Sequence, residues 1–207
     1  LKGTKEGCAS GDCGACTAVI GELVKNTLEY KTINTCITFL YNLHGKQLIT
    51  IENLDKDNIH PVQKSMITND GSQCGFCTPG IIMSMYGMYK NKTKPTNHNI
   101  EKSLAGNLCR CTGYKAIKEA ASKMYEYRKI NKNDKKIITK LKRISNKDIH
   151  INKGSQNFYI HHNLKGLLQN IKKVKKPIFV SGGTDIEVIV INRDSQRVGL
   201  AGFKENA

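Results

Sequence analysis

The chain has 207 residues, of which 39% are hydrophobic and 24% charged, and its formal net charge is +16. This composition is ordinary for a folded protein, and the length allows one large domain or two to three small ones. The longest apolar stretch, Gly80 to Tyr89, is far shorter than the roughly 20 residues that cross a bilayer, so we expect no membrane association.

The positive charge is concentrated in one segment. Residues 128–156 contain ten Lys or Arg against two Asp, and no aromatic side chains are interleaved with these lysines to stack on bases. A solvated basic linker explains the segment better than a nucleic-acid site does. We therefore expect no nucleic-acid partner.

The chain begins with a β-rich segment, which we predict to be a small domain over residues 1–54. A turn is expected at Gly21. Three strand-like runs follow a glycine-rich loop: Thr17 to Ile20, Leu28 to Ile33 and Gln47 to Ile51.

The next segment is helical, and we predict a four-helix domain over residues 55–127. Apolar periodicity and proline positions define the helices. They cover Pro61 to Thr68, Pro79 to Lys90, His98 to Ala105 and Tyr114 to Tyr127.

An α/β domain begins after the linker, over residues 157–207. Leu164 to Val174 is predicted to be a helix and Ile178 to Val180 a strand. The pair His161-His162 is interpreted as surface, because adjacent residues on a strand or loop point apart. The predicted fold class is thus a multi-domain α+β chain.

Eight cysteines form two quartets with none left over. We expect no signal peptide, and cysteines at ligand spacing in such a chain are more consistent with metal ligands than with disulfides, because cytosolic thiols stay reduced. We therefore predict a cytoplasmic protein. The quartets are Cys8, Cys13, Cys16 and Cys36, and Cys74, Cys77, Cys109 and Cys111.

The first quartet has the C-x4-C-x2-C spacing with a distant fourth cysteine that plant-type ferredoxins use for a 2Fe-2S cluster. Gly7, Gly11 and Gly14 lie among these cysteines and allow the backbone to direct N–H groups at sulfur. A four-cysteine zinc site is the alternative, but zinc sites usually combine paired CxxC motifs.

The second quartet lies at two predicted helix starts. Thr78 and Pro79 are expected at N-cap and N1 of the helix after Cys77, and the helix from Tyr114 follows Cys111. Free N–H groups and the helix dipole stabilise negative charge there. Zinc remains an alternative for this spacing.

Three strings resemble the molybdenum hydroxylases, the xanthine dehydrogenase and aldehyde oxidase family. KEGCASGDCGACTAV with the later NTC is similar to the ferredoxin-like domain of that family. QCGFCTPG and GNLCRCTGY are similar to the signature strings of its helical 2Fe-2S domain, and VSGGTDI resembles a flavin-contacting loop of its FAD domain. The resemblance implies a β-grasp ferredoxin-like domain, a four-helix 2Fe-2S domain and the start of an FAD-binding domain.

The resemblance also implies roles for particular residues. The second quartet would hold the 2Fe-2S cluster nearest the molybdopterin, and the first quartet the cluster nearer FAD. Gln73 matches a glutamine that contacts the pterin. The flavin loop would comprise Phe179, Val180, Ser181, Gly182, Gly183, Thr184, Asp185 and Ile186.

The implied function is electron transfer in a xanthine dehydrogenase-like oxidoreductase, from a molybdopterin-binding large subunit through two clusters to FAD and NAD. The chain itself would supply no catalytic residue, and we expect a hetero-oligomer. Family domains extend upstream of Leu1 and beyond Ala207, so we expect a fragment with an incomplete flavin site. An aldehyde oxidoreductase-type subunit is the alternative, and a zinc-stabilised basic nucleic-acid-binding protein is an alternative from another class.

Overall fold

The computed structural model describes residues 1–54, 58–127, 134–145, 147–153, 156–174, 177–183 and 201–203. The helices are α1 Pro61–Thr68, α2 Thr78–Lys90, α3 Asn97–Leu104, α4 Lys115–Lys123, α5 Lys135–Ser145 and α6 Leu164–Ile171. The strands are β1 Thr17–Val24, β2 Thr27–Asn34, β3 Gln47–Ile49, β4 Ile149–Lys153, β5 Gln156–His161, β6 Phe179–Val180 and β7 Ala201–Phe203. Short 3-10 turns cover Thr35–Ile37, Leu40–Leu43 and Ile51–Asn53.

The first sheet is antiparallel, in the order β2-β1-β3. The predicted turn at Gly21 is wrong, because Gly21 lies within β1 and pairs with Tyr30. A Cβ at Gly21 would lie 3.1 Å from Gln47 Oε1, so this glycine permits close packing between strands. The hairpin turns instead at Lys25 and Asn26, whose φ angles of 45° and 68° suit a tight turn between twisted strands.

Helix α2 is the centre of the helical region. Every residue from Gly80 to Met88 is buried, which explains the continuous apolar run there. A helix that is apolar all round is a core helix. Helices α1, α3 and α4 surround it, and all five methionines of the chain are buried: Met66, Met83, Met85, Met88 and Met124. Their flexible side chains fill the space between helices of unequal spacing.

The sheet and the helices share one hydrophobic core. Val19, Tyr30 and Ile49 of the sheet belong to the same buried cluster as the α2 methionines. Close approach is possible because Gly87 faces the sheet, where a Cβ would lie 3.1 Å from Thr32 Cγ2. The β-rich and helical segments are therefore packed together, and the boundary near residue 54 stays a prediction.

Helix boundaries differ slightly from expectation. The N-cap of α2 is Cys77 rather than Thr78. Helix α4 ends at Lys123, short of Tyr127, because Tyr125 turns inward. Its hydroxyl donates to the carbonyl oxygens of Met88 and Thr93, at 3.0 and 2.8 Å, and so satisfies groups at the end of α2.

The segment predicted as a solvated linker is partly ordered, and that prediction is wrong for residues 135–145 and 149–153, which form α5 and β4. Leu141 is buried, while the lysines lie on the other face of α5. Asp134 precedes the helix, accepting a hydrogen bond from the Tyr30 hydroxyl at 3.2 Å and pairing with Lys90 at 3.4 Å. The high lysine content of this segment obscured the apolar residues that recur at helical spacing in α5. Residues 128–133, 146 and 154–155 lie outside the described part.

The second sheet has the order β4-β5-β7-β6, with β7 parallel to both β5 and β6. Helix α6 connects β5 to β6, and Asn163 caps it by accepting the Gly166 N–H at 2.8 Å. Parallel strands joined by a helix agree with the expected start of an α/β domain. None of the described helices has both the length and the apolar content of a bilayer-spanning helix.

We predict that Leu141→Ala loosens α5. Removing a buried leucine side chain costs about 2 kcal/mol or more, so the amides of α5 should lose that much protection from hydrogen exchange. Ile144, on the same helix, has 42% of its surface exposed. Ile144→Ala is the matched control and should change protection by less than about 0.5 kcal/mol. Equal effects of the two variants would contradict the packing of α5.

Candidate metal centres

All eight cysteines are free thiols, and their sulfur atoms are grouped by quartet. In the first quartet the loop before β1 wraps around Cys8. The Cys8 sulfur accepts N–H groups from Ser10, Asp12 and Cys13, at 3.5, 3.3 and 3.4 Å. The Ser10 side chain and the N–H groups of Cys13 and Ser10 lower the pKa of Cys8 to about 6. The loop therefore stabilises a thiolate.

Cys16 and Cys36 form a close pair within this quartet, with their sulfur atoms 3.3 Å apart. Burial and the neighbouring Cys16 raise the pKa of Cys36 to about 12. Two hydrogen bonds hold the Cys36 segment against the loop: Asn34 Nδ2 donates to Gly11 O at 2.6 Å, and Thr35 Oγ1 donates to Cys16 O at 2.8 Å.

The second quartet lies between the starts of α2 and α4. Cys77 is the N-cap of α2, and it contacts Cys109. Burial and Cys109 raise the pKa of Cys77 to about 12. The pKa of Cys109 is lowered although burial opposes this, because the Thr112 hydroxyl and nearby N–H groups stabilise its thiolate. The Thr112 oxygen lies 3.2 Å from the Cys109 sulfur.

Cys74 and Cys111 form the other pair of this quartet. The N–H of Phe76 and the Cys111 thiol lower the pKa of Cys74, and the same contact with Cys74 raises the pKa of Cys111. Both residues are exposed, as is Gln73, whereas Cys77 and Cys109 pack against the hydrophobic core. The second quartet thus has one buried and one exposed side.

The thiol pairs fit a two-iron cluster. In each of the three close pairs one thiol has a raised pKa, caused first by burial and then by the neighbouring thiol at Cys36 and Cys77, and first by the neighbouring thiol at Cys111. Cations bound between the sulfurs would favour the thiolates. A 2Fe-2S cluster takes four cysteine thiolates in all, whereas a structural zinc ion gathers four ligands around itself. No group of three or more His, Cys, Asp or Glu side chains in the described part of the chain is arranged to hold a metal ion, so the support for a cluster here comes from the close thiol pairs.

The two quartets meet at a junction of backbone groups. The N–H of Leu108, next to Cys109, donates to the carbonyl of Cys13 at 3.0 Å. Gly14 has φ +72°, and a Cβ there would overlap the carbonyl oxygen of Gly106. A Cβ on Gly80 of α2 would overlap the carbonyl oxygen of Gly14. Only glycine at positions 14 and 80 allows this approach.

The segment that holds the second quartet has known relatives. Residues 50–122 match the 2Fe-2S binding domain family. Over 124 residues the chain is 48% identical to the xanthine dehydrogenase of Emericella nidulans, covering 58% of this chain and 9% of the relative. Over 125 residues it is 43% identical to aldehyde oxidase 3 of Mus musculus, with the same shares. The part of the chain that carries the cysteines is therefore similar to xanthine dehydrogenases and to an aldehyde oxidase.

Solved structures of molybdenum hydroxylases resemble the chain as well. The aldehyde oxidoreductase of Desulfovibrio gigas matches 59% of this chain and 13% of its own, with a TM-score of 0.52 and 34% identity. Quinoline 2-oxidoreductase of Pseudomonas putida 86 matches 69% of this chain and 77% of its own, with a TM-score of 0.50 and 28% identity. The chain spans about a tenth of the length of the curated relatives.

The segment that resembles the hydroxylase flavin loop is described in part. Phe179 is exposed, Val180 is buried, and Gly182 and Gly183 have φ angles of 71° and 80°. The Gly183 N–H donates to Ser181 O at 2.8 Å. Thr184, Asp185 and Ile186 lie outside the described residues.

The interpretation of His161 as surface is wrong. His161 is buried, with Nδ1 3.0 Å from Asp148 Oδ2 and Nε2 3.2 Å from the Asn170 side-chain nitrogen. Asp148 also contacts His162. Because Asp148 lies in the segment predicted as a linker, the sequence offered no reason to pair it with either histidine.

Sequence reasoning also missed Asn107 and Tyr114, which support the second quartet. The Tyr114 hydroxyl accepts the Cys109 N–H at 2.7 Å and donates to Asn107 O at 3.2 Å. Tyr114 has φ +65°, a conformation that these contacts help to maintain. Their position beside Cys109 and Cys111 in GNLCRCTGY was the available signal.

We predict that Gly14→Ala destabilises the junction strongly. Its positive φ and the clash with Gly106 O should together lower the free energy of unfolding by about 3 kcal/mol or more. Gly113 has φ +63°, but a Cβ there would face open space among the described residues. Gly113→Ala should therefore cost only about 1 kcal/mol. Denaturation of both variants measures the difference, and equal losses would contradict close contact at Gly14.

Proposed function

We propose that this chain is an electron-transfer part of a molybdenum hydroxylase of the xanthine dehydrogenase type. In this proposal the first quartet and the second quartet each hold one 2Fe-2S cluster. The observation that carries it is the pair of all-thiol quartets, which come together through the Leu108 N–H bond to Cys13. When bound, the clusters supply one-electron oxidation and reduction.

The residues of the chain stabilise and position these groups. N–H donors around Cys8, and the Thr112 hydroxyl with nearby N–H groups around Cys109, favour negative charge at sulfur. Burial of Cys16, and of Cys77 and Cys109 against the core, limits access of water to one side of each quartet. The protein thus sets spacing and electrostatics, and the cofactors perform the chemistry.

The exposure of each quartet supports an order along the electron path. Cys74, Cys111 and Gln73 are exposed, which leaves the second quartet open to a molybdopterin held by a large subunit. The segment that follows Cys36 of the first quartet contacts the flavin-loop segment. Asn42 Nδ2 donates to Gly182 O at 3.1 Å, and a Cβ on Gly183 would lie 3.0 Å from Phe39. Electrons would then pass from the partner through both quartets towards FAD and NAD.

The substrate and the assembly belong to the proposal as well. Xanthine dehydrogenases and an aldehyde oxidase are similar to this chain at 43–48% identity, so a purine substrate is our first choice and an aldehyde the second. We expect a hetero-oligomer in the cytoplasm, where thiols remain reduced. A zinc-stabilised nucleic-acid-binding protein gains no support from the described residues.

We predict that the purified chain contains about four irons and four labile sulfides, which is the count for two 2Fe-2S clusters. Reduction with dithionite should produce two distinct electron paramagnetic resonance signals. Metal analysis by mass spectrometry and a colorimetric sulfide assay measure the content.

Single substitutions assign the signals. Cys109→Ser should remove one signal and Cys13→Ser the other, because each removes a thiolate from a different quartet. Ser122→Ala is the control and should leave both signals, because Ser122 is exposed at the end of α4 opposite the second quartet. Zinc without sulfide in the parent protein would refute the proposed function.

A further inference from the structure

One buried side chain links the two quartets. Asn107 is 3% exposed, and its side-chain amide reaches three elements of the fold. Its Oδ1 accepts a hydrogen bond from Ser84 Oγ of α2 at 2.5 Å. Its Nδ2 donates to Gly14 O at 3.2 Å and to Thr17 Oγ1 at 3.1 Å. All polar atoms of the amide are therefore used.

The backbone of Asn107 is held as firmly as its side chain. Its N–H donates to Leu104 O at 2.9 Å, at the end of α3. Its carbonyl accepts from the Tyr114 hydroxyl at 3.2 Å. Asn107 precedes Leu108, whose N–H bonds Cys13, and it lies two residues before Cys109. Asn107 therefore holds both the segment that leads to Cys109 and the loop around Cys13 in place.

The glycine contacts explain why a side chain is needed there. Gly14 and Gly80 bring backbone atoms together but provide no directional bond of their own between the quartets. Thr17 shares the Gly14 carbonyl, with its N–H at 3.1 Å and its hydroxyl at 2.7 Å. Asn107 adds a side-chain donor to the Gly14 carbonyl from the side of the second quartet. The site is buried, so losing this hydrogen-bond partner would cost stability.

We propose that Asn107 is a positioning residue that fixes the separation of the two cysteine quartets. This inference rests on the proposed function, because the separation matters when each quartet holds a cluster. Clusters held by the two quartets would supply the exchange of single electrons across this junction. Tunnelling falls steeply with distance, so a looser junction slows this step without changing either ligand set.

The experiment compares three variants of the full chain with both clusters loaded. Asn107→Leu removes the amide at similar volume, and Asn107→Asp keeps the Ser84 bond but replaces the donor to Gly14 by an acceptor. Ser65→Ala is the matched control: Ser65 is also a buried serine, but its hydroxyl donates to Ala120 O at 2.6 Å, between α1 and α4, and has no bond to Asn107 among the described contacts.

The readout is the spin–spin interaction between the two fully reduced clusters, measured by electron paramagnetic resonance at low temperature. Dipolar coupling falls with the cube of distance, so both Asn107 variants should show weaker splitting and faster exchange of the Leu108 amide with solvent. Ser65→Ala should retain the parent splitting.

Several outcomes would overturn the inference. Unchanged splitting in Asn107→Asp would do so, as would an equal loss in Ser65→Ala. Failure of both Asn107 variants to load clusters would do so as well, because the residue would then serve assembly rather than spacing. Absence of iron and sulfide from the parent chain would instead refute the proposed function.

Discussion

Contact between two backbone loops at Gly14 is the constraint on which the rest of the structure depends. The Gly14 carbonyl receives bonds from Thr17 at the start of β1 and from Asn107, which precedes the Cys109 and Cys111 pair. Gly80 brings the first turn of α2 to the same carbonyl. The first sheet, the central helix and both quartets therefore meet at the Gly14 carbonyl oxygen.

The shared core makes this contact rigid. Helix α2 is buried on all sides between the first sheet and α1, α3 and α4, so Cys77 at its start has little freedom. Asp134 extends the assembly to α5 through Tyr30 and Lys90. Tight packing transmits position well, because a close-packed interior resists compression. A fixed geometry between electron-carrying groups needs such a framework.

Sequence patterns predicted much of this structure, and the failures have physical causes. Helix α1 was predicted residue for residue, since a proline and an apolar period mark it locally. Pairing of Asn107 with Gly14 was not predicted, because the two are distant in sequence and their contact follows from tertiary packing. Helix α5 was missed because its lysines dominated its composition, and Gly21 was taken for a turn because glycine also serves close strand packing. The cysteine ligand sets stay predictions that the thiol pairs support.

The central claim is that one compact framework holds two separate two-iron clusters at a fixed distance. Mössbauer spectroscopy of the chain enriched in iron-57 tests it most directly. The oxidised protein should contain all its iron as diamagnetic pairs, and full reduction should convert each pair to one ferrous and one ferric site, in two environments of equal area. A spectrum of isolated ferric or ferrous ions, or of a single kind of pair, would contradict it.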